Sequence, residues 1–228
     1  MAWVAGRDAT APFAYIVTPN VDHLVRLNRM PRHSEIRAAY ERADRCVCDS
    51  QIVRMLAHLG GVKLPLVRGS DLAEAMVAEA VPAGARVTLI GGNEAIAARL
   101  AAKLPQIKLR HHAPPMGLLS NPEAIASTVQ FIEDHPADLV FLAVGSPQQE
   151  LIAYTARARG RAKGTGLCIG AGIEFVTGDK QRAPRWMSAS GLEWFHRLLT
   201  EPKRLWRRYL IDDVRIVPIT LRWLCKPR

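Results

Sequence analysis

The chain has 228 residues, 49% of them hydrophobic, which is enough for one substantial core and short for two independent ones. Its formal net charge of +10 predicts attraction to an anion, whether nucleic acid, a membrane surface or a phosphorylated substrate. Four cysteines, Cys46, Cys48, Cys168 and Cys225, form no C-x-x-C pair and have no histidine at zinc-ligand spacing, so they read as reduced and mostly buried. No basic segment leads into an apolar one at the N-terminus, and no apolar run reaches the ~18 residues of a spanning helix, so the reading is a cytosolic chain without signal peptide or membrane span.

In chain order, short β-branched or apolar runs alternate with longer alanine- and leucine-rich segments, the pattern of βα units around a largely parallel sheet. Strands are predicted at residues 15–18, 46–48, 87–90, 108–111, 139–144 and 167–169. Helical periodicity places helices at residues 20–29, 34–43, 51–59, 70–80, 93–104, 122–134 and 148–158. Ser70 and Asn93 each follow a glycine and read as N-caps. After Gly178 the character changes to helices with basic faces, at residues 191–199 and 201–213. In the second, Leu205, Trp206, Tyr209 and Leu210 share one side, with Arg204, Arg207 and Arg208 around them. Pro218 then interrupts an apolar segment over residues 216–224. From Lys180 onward twelve Lys or Arg stand against four acids, so most of the excess charge lies in the last fifth of the chain.

In open α/β sheets ligands bind beyond the carboxyl ends of the strands, so the residues that follow predicted strands are the first candidates. Asp49 in Cys48-Asp49-Ser50 reads as a general base or, on its own features, more simply as a helix cap. Thr18 and Asn20 suit a ligand or the start of a helix. Gln149 and Glu150 open a helix, where an acid also serves the helix dipole. Gly170-Ala-Gly172 and Gly91-Gly92 each lack the third glycine of a dinucleotide fingerprint. Arg182, Arg185, Arg197, Arg204, Arg207 and Arg208 read as solvated surface, phosphate ligands or membrane contacts. His111 and His112 have no acidic or cysteine partner at ligand spacing and read as structural or surface residues. No Asp-x-Asp occurs, which removes the commonest carboxylate arrangement for holding a metal on a nucleotide-sugar diphosphate.

Taken in order, Gly145-Ser-Pro-Gln-Gln-Glu150, Ile169-Gly-Ala-Gly172, residues 178–186 (GDKQRAPRW), residues 191–197 (GLEWFHR) and residues 201–209 (EPKRLWRRY) resemble the WecG/TagA/CpsF glycosyltransferases. Thr18-Pro-Asn20, Asp49, Gly69-Ser-Asp71 and Ile90-Gly-Gly92 fall where that family has further landmarks, so the resemblance spans roughly residues 13–211. It implies a Rossmann-like α/β core over residues 1–178 and a basic helical C-terminal appendage over residues 179–228. It also implies an inverting, metal-independent enzyme without cofactor. Such an enzyme moves a hexose or N-acetylhexosamine-type sugar from a UDP-sugar to a polyprenyl-diphosphate-linked saccharide for cell-surface polysaccharide.

By the same resemblance Asp49 matches the catalytic base. Thr18, Asn20 and Gln149 match ligand contacts, and Arg68, Gly91, Gly145, Glu150, Gly170 and Glu174 join the substrate-binding set. Arg182, Arg185, Arg204, Arg207 and Arg208 of the appendage would serve the UDP diphosphate and an anionic membrane, placing the protein on the inner face of the cytoplasmic membrane. The expected partners are the UDP-sugar, the lipid-linked acceptor, that membrane and, as an option, a second copy of the chain, with no nucleic acid. The sequence departs from the family pattern at Gln148 (usually Lys), Glu174 (usually Asp) and Leu66 (usually Arg, a role for which Arg68 is the candidate substitute). Residues 113–119 also replace a Gly-Tyr-Phe type of turn. A basic nucleic-acid-binding protein and an NAD-dependent oxidoreductase stand as alternatives, the first without a recognisable motif and the second with a broken glycine fingerprint.

Overall fold

The computed structural model describes residues 2–80, 82–180, 183–184, 186–187 and 190–225, leaving aside the side chain of Ala80. It contains one six-stranded, all-parallel sheet: β1 (Ala14–Val17), β2 (Arg45–Cys46), β3 (Arg86–Gly91), β4 (Lys108–His112), β5 (Leu139–Ala143) and β6 (Thr165–Cys168). The strand order is β2-β1-β6-β5-β3-β4. Interior parallel strands are covered on both faces, which is why they read as continuous apolar runs rather than alternating ones. All four residues of β1 and of β6 are buried, and so are Leu139 to Leu142 of β5. The edge strands differ. Both residues of β2 are exposed, and none of β4 is fully buried. With helices beside the sheet this is the Rossmann-like α/β fold expected from the sequence.

Contacts within the chain define two units. The first is Met1–Val17, His33–Cys46 and Gly69–Lys180, and it holds the whole sheet. The second is Thr18–Arg32, Val47–Arg68 and Gln181–Arg228, so it combines the C-terminal stretch with two early segments. In the first unit, Tyr15 Oη donates to Ala39 O (2.6 Å) and ties the helix Glu35–Glu41 to β1. The Asp138 carboxylate accepts from the backbone N–H groups of Ala9 (2.9 Å) and Arg86 (2.8 Å). His111 and His112 are structural, as expected: His111 Nε2 meets Gly91 O, and the His112 ring stacks on Phe131. Asn93 caps its helix by accepting from Ile96 N–H (2.9 Å). Ser70 does not act as a cap, because the helix Gly69–Ala75 begins before it.

The second unit gathers around Val21, Val25 and Ile216, with Leu24, Ile52, Leu56 and Ile219 packed against them. Pro218, expected to interrupt the apolar segment, instead sits in the first turn of the helix Ile216–Leu224, where a residue needs no intrahelical N–H. The stripe expected over residues 205–210 divides: Leu205 is buried, while Trp206 and Leu210 are exposed. Leu205 and Trp206 are neighbours, about 100° apart on the helix, and only beyond them does the winding change. The helix Pro202–Arg207 passes into a wider π turn at Arg208–Asp212, so a 3.6-residue period does not run through it. The cysteines are half as expected, with Cys48 and Cys168 buried and Cys46 and Cys225 exposed.

Gly164, just ahead of β6, has φ +94°, and a Cβ there would stand 1.7 Å from Ala137 O. Gly160 has φ +72° and open space around the same position. Gly160→Ala therefore carries only the left-handed backbone cost of roughly 1–2 kcal/mol. Gly164→Ala adds a backbone clash, and we expect it to lose at least about 3 kcal/mol in urea denaturation. Equal losses for the two variants would show that the close approach is not a constraint.

Candidate active site

In the first unit the selected residues converge after β5 and β6. Gly145 (φ +81°) turns the chain out of β5, and its carbonyl accepts from Gln149 N–H (3.0 Å). Gly170 (φ +50°) does the same after β6, and a Cβ on it would lie 3.4 Å from Gln149 Oε1 and 3.8 Å from Gly145 Cα. Gly145, Gln149 and Gly170 thus form one cluster. Gln149 is 2% exposed; its Nε2 donates to Glu150 Oε1 (2.8 Å), while its Oε1 is buried with no hydrogen-bond partner among the described residues. Glu150 is fully buried, so its contact is with Gln149 rather than with solvent. Burial pushes the Glu150 carboxyl up, against hydrogen bonds from Gln149, Ser146 and Tyr40 that favour its charged form. The Tyr40 and Ser146 hydroxyls are themselves 2.9 Å apart.

Sequence reading singled out neither Tyr40 nor Ser146. Ser146 stands inside a quoted motif, whereas Tyr40 carries no local signal. Gly91 (φ +93°) has a packing reason of its own, since a Cβ there would stand 2.8 Å from the Ala143 carbonyl carbon and from Val144 Cγ1. Glu174 is ion-paired with Lys180.

In the second unit Thr18 is buried and Asn20 caps the helix Val21–Arg29 by accepting from His23 N–H. Asp49 donates its backbone N–H to Pro19 O (3.1 Å), which places it beside that loop. The capping role open to Asp49 belongs instead to Ser50, whose Oγ accepts from Val53 N–H at the start of the helix Gln51–Leu59. Asp49 is half-buried, one residue outside that helix cap. Leu66 pairs with Cys48 as an isolated parallel bridge, and Arg68 Nε donates to Glu193 Oε2 (3.0 Å).

Among the appendage arginines Arg208 has the distinctive surroundings. Its Nη2 donates to Asn20 Oδ1 (3.3 Å) and lies 3.7 Å from Asp22 Oδ2, and its Nε lies 3.8 Å from Asp213 Oδ2. Two residues selected separately from the sequence, Asn20 and Arg208, are therefore in contact. Arg204 pairs with Glu201, and Arg207 is exposed. Arg182 and Arg185 lie outside the described residues. Beside Arg208, His23 is held neutral: burial, then Arg26 and Arg208, push it down to about 3.

Parallel strands that end in left-handed glycines, with helix N-termini and short polar side chains after them, define the open α/β ligand-binding class. The chain belongs to the WecG/TagA/CpsF family of glycosyl transferases, whose family model matches residues 1–228, the whole sequence. The activity class is therefore glycosyl transfer.

Asp213 gives a test of the Arg208 surroundings. Burial pushes its carboxyl up to about 6, with Asp22 and Asp212 acting in the same direction and Arg208 opposing them. Between about pH 4 and 6 the folded chain holds a proton that the unfolded chain has released, so stability falls as pH rises through that window. We expect Asp213→Asn to remove that slope in thermal melts taken from pH 4 to 7. An unchanged slope would mean that Asp213 titrates as an exposed acid.

Proposed function

We propose that this glycosyltransferase is an inverting enzyme that moves a sugar of the hexose or N-acetylhexosamine type from a UDP-sugar to a polyprenyl-diphosphate-linked saccharide in cell-surface polysaccharide synthesis. The observation that carries the reading is the family match over the whole chain, joined to the position of Asp49, a half-buried carboxylate one residue before the Ser50 helix cap and beside the Thr18–Asn20 loop. Inversion needs a base to take the proton of the acceptor hydroxyl as its oxygen attacks the anomeric carbon while the bond to the UDP diphosphate breaks. Asp49 fills that role. Thr18 and Asn20 beside Asp49 are the donor contacts, and the family resemblance adds Gln149, whose buried Oε1 has no hydrogen-bond partner among the described residues.

The departing diphosphate needs cationic stabilisation, and the chain has no Asp-x-Asp to hold a metal there. Among the described residues of the C-terminal stretch, Arg208 is the cation best situated for it. It already meets Asn20, and a diphosphate would exchange the weak contacts to Asp22 and Asp213 for charge-assisted bonds. No helix among the described residues is long and apolar enough to cross a membrane. The reading places the protein on the inner face of the cytoplasmic membrane, held there by the cationic C-terminal stretch.

The test is a panel of UDP-sugars with a synthetic polyprenyl-diphosphate acceptor. One donor is expected to give transfer with inversion, and Asp49→Asn to lower its rate by about 10²–10⁴. Transfer is expected to survive exhaustive chelation with EDTA. Near-normal turnover in Asp49→Asn would return that residue to a structural role, and strict dependence on added magnesium or manganese would contradict the arginine assignment.

A further inference from the structure

All the exposed large apolar side chains of the described residues, except Met116 and Leu119, belong to the second unit. Some of them lie far from the C-terminal stretch in sequence. The helix Gln51–Leu59 has no fully buried residue, although it is strongly amphipathic. Ile52 and Leu56 face the Val21–Val25–Ile216 core, while Met55 and Leu59, at the adjoining i+3 and i+7 positions, are 53% and 71% exposed. With Val62 and Leu64 from the segment that follows, they line an open groove of about 630 Å³. Its volume is that of a ligand site, commonly about 300–1,000 Å³, yet its walls are hydrocarbon and its polar lining consists of Arg54, His58 and Lys63.

The charge selects the occupant. From Gln51 to Arg68 the chain has no Asp or Glu, so the groove is rimmed by cations with no acid of its own segment to neutralise them. A second copy docked face to face would set Arg54 and Lys63 against themselves. A phospholipid satisfies both parts, with acyl chain along the groove and phosphate at the rim. The neighbouring helix continues the same surface: the Trp223 ring abuts Gly60, so closely that a Cβ there would stand 2.2 Å from it. On that helix Ile216 and Thr220 are buried, while Val217, Leu221 and Leu224 form an exposed stripe at i, i+4 and i+7.

We infer that the helix Gln51–Leu59 and residues 60–64 are a bilayer-docking element, seating anionic phospholipid with Met55 and Leu59 in the hydrocarbon and Arg54 and Lys63 on the phosphates. The inference deepens the membrane part of the proposed function by assigning docking to an early segment as well as the C-terminal stretch. It does not depend on the sugar chemistry.

The test is cosedimentation of the full chain with phosphatidylcholine vesicles, with and without phosphatidylglycerol, at low salt. The wild type is expected to bind the anionic vesicles. Met55→Ser/Leu59→Ser is expected to weaken binding about tenfold or more, because two exposed apolar side chains no longer enter the lipid. Arg54→Gln/Lys63→Gln is expected to lose a similar factor on anionic vesicles alone. Met116→Ser/Leu119→Ser, which removes the exposed apolar pair of the first unit, is expected to bind as the wild type. Thermal melting of each variant separates lost docking from lost folding.

Wild-type binding by Met55→Ser/Leu59→Ser would overturn the inference, as would equal weakening by Met116→Ser/Leu119→Ser. It would also fall if the groove variant abolished a concentration-dependent dimer and left vesicle binding intact, since the occupant would then be a second copy. A donor panel that gave no transfer would remove the transferase mechanism and leave the vesicle result standing.

Discussion

Six strands hydrogen-bonded in parallel cannot be joined by tight hairpins, because each connection must return the chain to the same end of the sheet. That requirement fixes where chemistry can be placed. Every exit from a strand becomes a loop leading toward a crossover, and here the exits at Gly145 and Gly170 turn through left-handed glycines, with the side-chain amide oxygen of Gln149 in the same small space. The strands themselves carry little chemistry, since the interior ones are sealed on both faces.

The two acids that attracted attention in the sequence occupy opposite environments. Glu150 is sealed, with its carboxyl pushed up by burial and engaged by Gln149. Asp49 is half-buried and stands one residue before the Ser50 cap. A proton acceptor needs access to its substrate and a carboxylate that is ionised in use, and of the two only Asp49 has access. Arg208 extends the same logic. A guanidinium between Asn20, Asp22 and Asp213 is solvated by weak and imperfect partners, which a diphosphate can replace.

Much of the first unit was legible in the sequence because its signals are local. The runs at Leu139 to Leu142 and around Leu167 read as strands since burial on both faces demands unbroken apolar residues. Asn93 read correctly as a cap because its side-chain bond reaches only three residues along the chain. Ser70 carried the same signal and failed, the helix having started at Gly69. The second unit was harder to read. Its segments are scattered through the chain, the π turn at Arg208–Asp212 broke the expected stripe, and Pro218 proved compatible with a first helical turn. Tyr40 could not be found from sequence because what matters about it is Ser146, a residue far along the chain, and Asp213 because its character comes from burial in the folded chain.

The central claim is that a family glycosyltransferase with this loop set takes a uridine diphosphate donor. The most direct measurement is calorimetric titration of the purified chain with UDP, NAD and a short oligonucleotide under one buffer condition. Saturable binding of UDP alone, weakened in Arg208→Ala and retained in Asp49→Asn, is the predicted result. Tight binding of NAD or of the oligonucleotide with no binding of UDP would contradict it.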